Sequence, residues 1–147
     1  KKMHLNIRND RSKRLKEVGS EAEIFENFYT YLKQAIIEDN RIEVEKLRGL
    51  RETELLSLSQ MCMSITNNDY TGPNKLEIKS SNEKLSTFVD AILPISIADK
   101  EKKRRFLRLV RPEKILDVMD IFNSLRDKEP VDLIRKRLGS SYQIPKG

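Results

Sequence analysis

The sequence predicts an all-α protein, a single compact bundle of about six helices with one long internal loop. Three observations carry this prediction. Apolar residues recur at three- and four-residue steps over most of the chain, the period of a helix with one buried face. No alternating apolar–polar run exceeds five residues, so no half-buried strand is signalled. Only five glycines and five prolines occur in 147 residues, too few for the many tight turns of a sandwich or barrel. No sequence repeat and no sustained heptad is present.

The elements follow in order. Residues 1–19 read as a basic N-terminal arm, either a frayed helix or a segment that orders on a partner. Ser20-Glu21-Ala22-Glu23 has the form of a capping box, in which hydroxyl and carboxylate satisfy each other's backbone N–H. Behind it Phe25, Phe28, Leu32 and Ile36 line one helix face. Asp39-Asn40 breaks this helix. A second, longer one carries Leu47, Leu50, Leu55, Leu58, Cys62 and Ile65 on its apolar stripe. Gly49 lies inside it, at a cost of about 1 kcal/mol relative to alanine, which suggests the close approach of a neighbour.

Residues 66–80 hold Asn67-Asn68-Asp69 and Thr71-Gly72-Pro73-Asn74 and form the long loop, with Leu76-Glu77-Ile78 as a short extended piece. A second capping box, Ser80 to Glu83, opens a helix bearing Leu85, Phe88, Val89 and Ile92, which Pro94 ends. Ser96 then caps a basic helix from Ile97 to Val110. Arg111-Pro112 breaks it, because the residue before proline avoids helical geometry. Pro112 suits the first turn of the next helix, whose apolar face is Ile115, Met119 and Phe122, flanked by Leu116 and Leu125. A last helix runs from Pro130 to Leu138 with Gly139 just past its end. The organisation is therefore an arm (1–19), a helical domain (20–139) and an irregular tail (140–147).

Charge is distributed in blocks. The formal net charge is +6. Lys1 to Ser20 carries seven basic and two acidic residues, and Glu21 to Glu45 carries two basic and seven acidic. Lys100 to Lys114 carries eight basic and two acidic residues, a local +6. Such a surface attracts polyanions on one side and basic partners on the other.

Chemistry that needs specific side chains is poorly represented. The sole histidine, His4, stands in the basic arm without a positioned partner, which a general base or metal ligand requires. The sole cysteine, Cys62, lies between Leu58 and Ile65 on an apolar stripe, where a thiol packs rather than reacts. One cysteine also excludes a disulfide scaffold. Of the paired carboxylates, Glu21/Glu23, Glu43/Glu45 and Asp117/Asp120, only the last pair shares a helix face. No Gly-rich phosphate loop and no His-Glu-x-x-His motif occurs. The expectation is a protein that is not an enzyme, with no metal, no cofactor and no small-molecule ligand. No run approaches the ~18 apolar residues of a membrane span, and no signal-peptide pattern opens the chain. An intracellular protein, cytoplasmic or nuclear, without membrane contact is expected.

The strongest constellation is Lys100-Glu101-Lys102-Lys103-Arg104-Arg105-Phe106-Leu107-Arg108-Leu109-Val110-Arg111. On a helix, Phe106, Leu107 and Val110 face the core, while Arg104, Arg105, Arg108 and Arg111 share a neighbouring stripe. The candidate nucleic-acid-binding residues are therefore Lys100, Lys102, Lys103, Arg104, Arg105, Arg108 and Arg111, which would track phosphates without reading sequence. Two other readings compete: an acidic protein partner, and basic stems that cover core edges and pair with the acidic helix. Phe28, Tyr29 and Tyr31 sit in acidic surroundings and do not make a stacking platform for single strands.

Three stretches carry a resemblance: Phe25-Glu26-Asn27-Phe28-Tyr29-Thr30-Tyr31-Leu32, Glu45-Lys46-Leu47-Arg48-Gly49-Leu50-Arg51-Glu52-Thr53-Glu54-Leu55-Leu56, and Leu93-Pro94-Ile95-Ser96-Ile97-Ala98-Asp99-Lys100-Glu101. In pattern and order they resemble the helical domain of GINS subunits, small non-catalytic scaffolds of the replicative helicase assembly. A phenylalanine-tyrosine helix precedes a long leucine-rich helix, a loop and a further capped helix. The likeness spans about residues 20–110. It departs where an Arg-x-x-Lys-Ile ending is replaced by Gln60-Met61-Cys62-Met63-Ser64-Ile65. Separately, Glu83 to Leu125 is similar to the helical end of the substrate-recognition region of Lon-type proteases, with Lys102-Lys103-Arg104-Arg105 where acidic residues are usual. The first resemblance implies an accessory subunit of a DNA-replication machine that contacts nucleic acid through the basic helix and a partner subunit through the acidic one. The second implies a protein-interaction or substrate-recognition domain without nucleic-acid contact.

Overall fold

A computed structural model describes the backbone of residues 2–67, 78, 80–97 and 99–141, and the side chains of residues 19–66, 78, 80–96 and 99–138. Seven helices and no strand occur among them. The helices are α1 (Lys2–Ile37), α2 (Arg41–Arg48), α3 (Glu52–Asn67), α4 (Glu83–Ile97), α5 (Lys100–Leu109), α6 (Pro112–Arg126) and α7 (Val131–Ser141). The all-α bundle predicted from periodicity is the fold observed.

The most extensive packing is between α3 and α6, while α1 packs against α4, α5 and α7. Where these layers meet, the five phenylalanines form one cluster. Phe28 of α1 stacks on Phe88 of α4 at 4.2 Å between ring centroids. Phe25 meets Phe106 of α5 edge-on at 5.8 Å, and Phe28 reaches Phe122 of α6. All five rings are buried. Truncating one to alanine removes a transfer term and leaves a cavity, about 3–5 kcal/mol in a core of this kind. This cluster holds α5 to the bundle by one face.

The helix boundaries differ from those read in the sequence, each for a local reason. Ser20 lies inside α1 instead of starting a helix. The Lys, Arg, Leu and Met residues upstream are good helix formers, so nothing stops the helix there. The side chains of residues 1–18, His4 included, lie outside the described residues. The expected long leucine helix is two helices, because Gly49 ends α2 in place of lying within it, and its N–H donates to the Glu45 carbonyl at 2.8 Å. Glu54, itself buried, then accepts from the Arg51 N–H at 2.9 Å, one arm of a capping box that opens α3. A Cβ built on Gly49 meets only the backbone carbonyls of Glu45 and Lys46, so no neighbouring element approaches it.

The caps of α4 and α5 are also displaced by a few residues. Asn82, not Ser80, caps α4: its Oδ1 accepts from the N–H groups of Lys84 and Leu85. Pro94 stands in the last turn and α4 runs three residues past it, so the missing N–H costs a single bond. Asp99, not Ser96, caps α5, accepting from the Glu101 N–H at 3.0 Å. Ser96 instead donates to the Leu93 carbonyl. Pro112 does open α6. Gly139 lies inside α7, which continues to Ser141. Most of the expected loop 66–80 lies outside the described residues, although α3 extends into it to Asn67 and Ile78 packs partly buried on the core.

Two helices end in the same turn. Asp39 after α1 and Lys128 after α6 have φ of 53° and 58°. In each case the next residue's N–H reaches back to the carbonyl five residues earlier, Asn40 to Ala35 at 2.9 Å and Glu129 to Ser124 at 3.0 Å. This is the Schellman closure, made here without glycine.

Candidate functional site

Helix α5 divides its basic residues between two faces. Phe106 and Val110 are fully buried and Leu107 is partly so. Helical spacing puts Lys102 and Lys103 one turn upstream on that packed side. Lys102 Nζ pairs with Glu21 Oε1 of α1 at 3.0 Å, and Lys103 is 8% exposed. Lys100, Arg104, Arg105 and Arg108 are exposed on the outer side. Arg111 is exposed in the extended link to α6, with φ −67° and ψ 137°. The structure thus gathers five of the seven candidate residues on one exposed face and commits Lys102 and Lys103 to the bundle. Leu109 is 55% exposed beside Arg105 and Arg108.

The surroundings of these arginines set them apart. Among the described residues Arg104, Arg105, Arg108 and Arg111 make no ion pair and no side-chain hydrogen bond. Of the six other described arginines, Arg48, Arg51, Arg126, Arg135 and Arg137 bond to carboxylates or carbonyls of the bundle, and only Arg41, at the start of α2, does not. Arg104/Arg108 and Arg105/Arg108 are like-charge pairs at i,i+4 and i,i+3, each costing a few tenths of a kcal/mol, roughly 0.2–0.5. Glu101, one turn upstream, forms no ion pair with either row. Arg111 cannot cap α6, since a guanidinium only donates, and α6 begins without a side-chain cap. The result is a short ridge of uncompensated positive charge on a rigid helix.

The acidic helix is largely neutralised from within. Glu21 pairs with Lys102, Glu26 with Lys114 at 2.8 Å, and Asp39 with Arg135 at 3.5 Å. Glu23 and Glu38 are exposed and form no ion pair among the described residues. The basic residues that pair with the acidic helix are therefore lysines of α5 and α6 and an arginine of α7, and the α5 arginines are left over.

Two polar junctions carry no sequence signature, because their members are far apart in the chain. Tyr29 donates to Asp117 of α6 at 3.1 Å, and Lys33 sits 5.0 Å from the Tyr29 ring centroid. Burial pushes the Lys33 ammonium below its usual range, and Asp117 opposes that shift. In the second junction Tyr31 donates to Glu43 of α2 and accepts from Asn82 at the cap of α4. Lys84 lies over the Tyr31 ring at 4.5 Å. Burial, with the adjacent Glu43 carboxylate, pushes the Tyr31 phenol up to about 12. Both junctions fix helices to one another and offer no nucleophile.

The remaining candidates are structural. Cys62 is fully buried, and burial pushes its thiol far above the ordinary range. Asp117 and Asp120 point to separate tasks, one on Tyr29 and the other on Arg137. No group of three or more His, Cys, Asp or Glu side chains converges among the described residues. A groove of about 360 Å³ between α1 and α4 is lined by Ile24, Asn27, Phe28, Glu83, Lys84 and Thr87, with no acid–base pair placed to act on a ligand. Among the described residues no helix is long and apolar enough to cross a membrane.

The described residues therefore form an all-α bundle that exposes a row of arginines along and just past α5. Comparison with known proteins adds no relative: no family model, no curated protein and no solved structure matches the chain.

Proposed function

We propose that the protein is a non-catalytic accessory subunit that binds nucleic-acid phosphates through the outer face of α5. The observation that carries this reading is the set of four exposed arginines that lie close together on and just after one helix and have no counter-charge among the described residues, where five of the six other arginines are bonded. Guanidinium groups suit phosphate oxygens because their planar donors match two acceptors at once. A role in DNA replication rests on the resemblance to GINS subunits alone. The break between α2 and α3 falls inside one of the resembling stretches, so binding chemistry is the firmer part of the proposal. A protein-interaction domain is the second reading, favoured by the same ridge if its ligand is an acidic protein face.

The test is fluorescence anisotropy with a labelled 20-base-pair duplex at two salt concentrations. Four phosphate contacts give a slope of about −3.6 in log affinity against log salt, so a fourfold rise in salt weakens binding by about 10²-fold. Replacing Arg104, Arg105 and Arg108 together by glutamate abolishes that binding. Unchanged affinity in the triple variant overturns the proposal. So does a parent protein that captures an acidic polypeptide but no nucleic acid.

A further inference from the structure

Resting on that reading, we infer that the ligand is the backbone of a duplex, gripped without base contacts, and not an unpaired strand. Proteins that hold single strands without sequence preference stack the bases on exposed aromatic rings, at about 1–3 kcal/mol per base. This chain has no tryptophan, its five phenylalanines are all buried in one cluster, and Tyr29 and Tyr31, the two tyrosines among the described residues, are buried and hydrogen-bonded, Tyr70 and Tyr142 lying outside them. No ring among the described residues lies beside the ridge. Leu109 is the only large apolar side chain exposed on α5.

The ridge also lacks the means to read base edges broadly. Helix α5 contains no Asn, Gln, Ser or Thr, the side chains that recognise adenine or adapt to either base. Its inner face is committed to the phenylalanine cluster, so only a narrow strip of the helix is available. Arg104 to Arg108 spans four residues, about 6 Å along the axis at 1.5 Å per residue. Arg111 extends the line past the end of the helix. Phosphates of one duplex strand advance about 3.4 Å per base pair. The ridge therefore faces about three successive phosphates, with Arg105 offset toward a fourth. A duplex presents that charge at twice the linear density of a single strand, which rewards a rigid row of cations without stacking groups.

The experiment uses the full chain and four probes: a 20-base-pair mixed duplex, one of its strands alone, an all-A·T duplex and an all-G·C duplex. The expected result is at least tenfold tighter binding to the duplex than to the strand, with the A·T and G·C duplexes within about threefold of each other. Substituting Arg104, Arg105 and Arg108 together by lysine weakens duplex binding by no more than about fivefold and leaves the salt slope unchanged, since each side chain keeps its charge and loses only the second parallel donor. Leu109→Ser leaves duplex affinity unchanged. Equal or tighter binding to the single strand overturns the inference while leaving the phosphate-binding proposal standing. A tenfold preference for G·C, lost in the lysine variant, also overturns it by placing the guanidinium forks on guanine. Binding to vesicles of anionic phospholipid that exceeds duplex binding and depends on Leu109 overturns both readings, as does the failure of all four probes to bind.

Discussion

Helices α5 and α7 carry three and two arginines, and the comparison between them separates scaffold from surface. On α7, Arg137 makes two parallel bonds to Glu129, at 3.0 and 2.9 Å, pairs with Asp120 at 3.3 Å and also donates to the buried Ser124 hydroxyl. Arg135 donates to the Ile36 carbonyl at the end of α1 and pairs with Asp132 and Asp39. These guanidiniums fasten α7 to α1 and α6. On α5 the arginines fasten nothing among the described residues, and Lys102 and Lys103 of the same helix face inward. Identical side chains thus differ in role according to whether acceptors were built around them. Charge density alone does not reveal this.

The widest separation between the two helices is expected from reversing Arg104, Arg105 and Arg108 to glutamate. Nucleic-acid affinity falls by more than about 10²-fold, while the urea midpoint shifts by no more than the ~0.5 kcal/mol typical of surface positions. A large loss of stability in that variant breaks the comparison. Arg137→Ala does the opposite. Its side chain is 43% exposed, so its ion pairs contribute little. The buried Ser124 hydroxyl loses one of its two partners and keeps Glu129, so the cost is about 0.5–1 kcal/mol, read by chemical denaturation, with duplex affinity unchanged.

Acidity sharpens the same contrast. The bonds from Arg137, with Ser124, hold the Glu129 carboxyl down at about 2 in the folded protein, against 4.5 for the free group. The unfolded chain therefore takes up a proton first. The stabilisation is complete above 4.5 and is lost as pH falls from 4.5 toward 2, and in Arg137→Ala that loss is reduced. At the other end, Tyr31 titrates at about 12 when folded and 10.0 when free. The unfolded chain then releases its proton first, so stability falls as pH rises from 10 toward 12, and Tyr31→Phe flattens that decline. Denaturation midpoints across both ranges check the signs. The smallest effect is a gain. Lys128 holds φ of 58°, a conformation costing a side-chain-bearing residue about 1 kcal/mol, so Lys128→Gly raises stability by about 0.5–1 kcal/mol without touching either arginine set.

Much of this architecture is legible in the sequence because it follows from periodicity. The stripe from Phe25 to Ile36, the Phe106 and Val110 face and the Pro112 start are read directly. The break at Gly49 is not, because Leu47, Leu50, Leu55 and Leu58 stay in phase across it and the stripe reads as one helix. Cap positions shift by two or three residues at α4 and α5 because Ser80, Asn82, Ser96 and Asp99 are all competent caps, and packing chooses among them. Within the site, the seven bases read as one patch because they are contiguous, while helical spacing from Phe106 puts Lys102 and Lys103 on the inner face, where the structure has them. The Tyr31–Glu43–Asn82 junction joins residues up to 51 positions apart, and no local pattern encodes such a meeting.

The leftover arginines of α5 also bear on how this protein can change over generations. No described contact of the fold depends on the outer face of that helix, so substitutions there are released from the requirement to keep the chain folded. If the proposed phosphate binding holds, drift retunes its strength one residue at a time, by roughly one unit of salt slope per contact, on an unaltered scaffold. The outer face of α7 has no such freedom, because each of its arginines is also a fastening. A lineage of this bundle would therefore keep α7 nearly fixed and let α5 diverge with its partner.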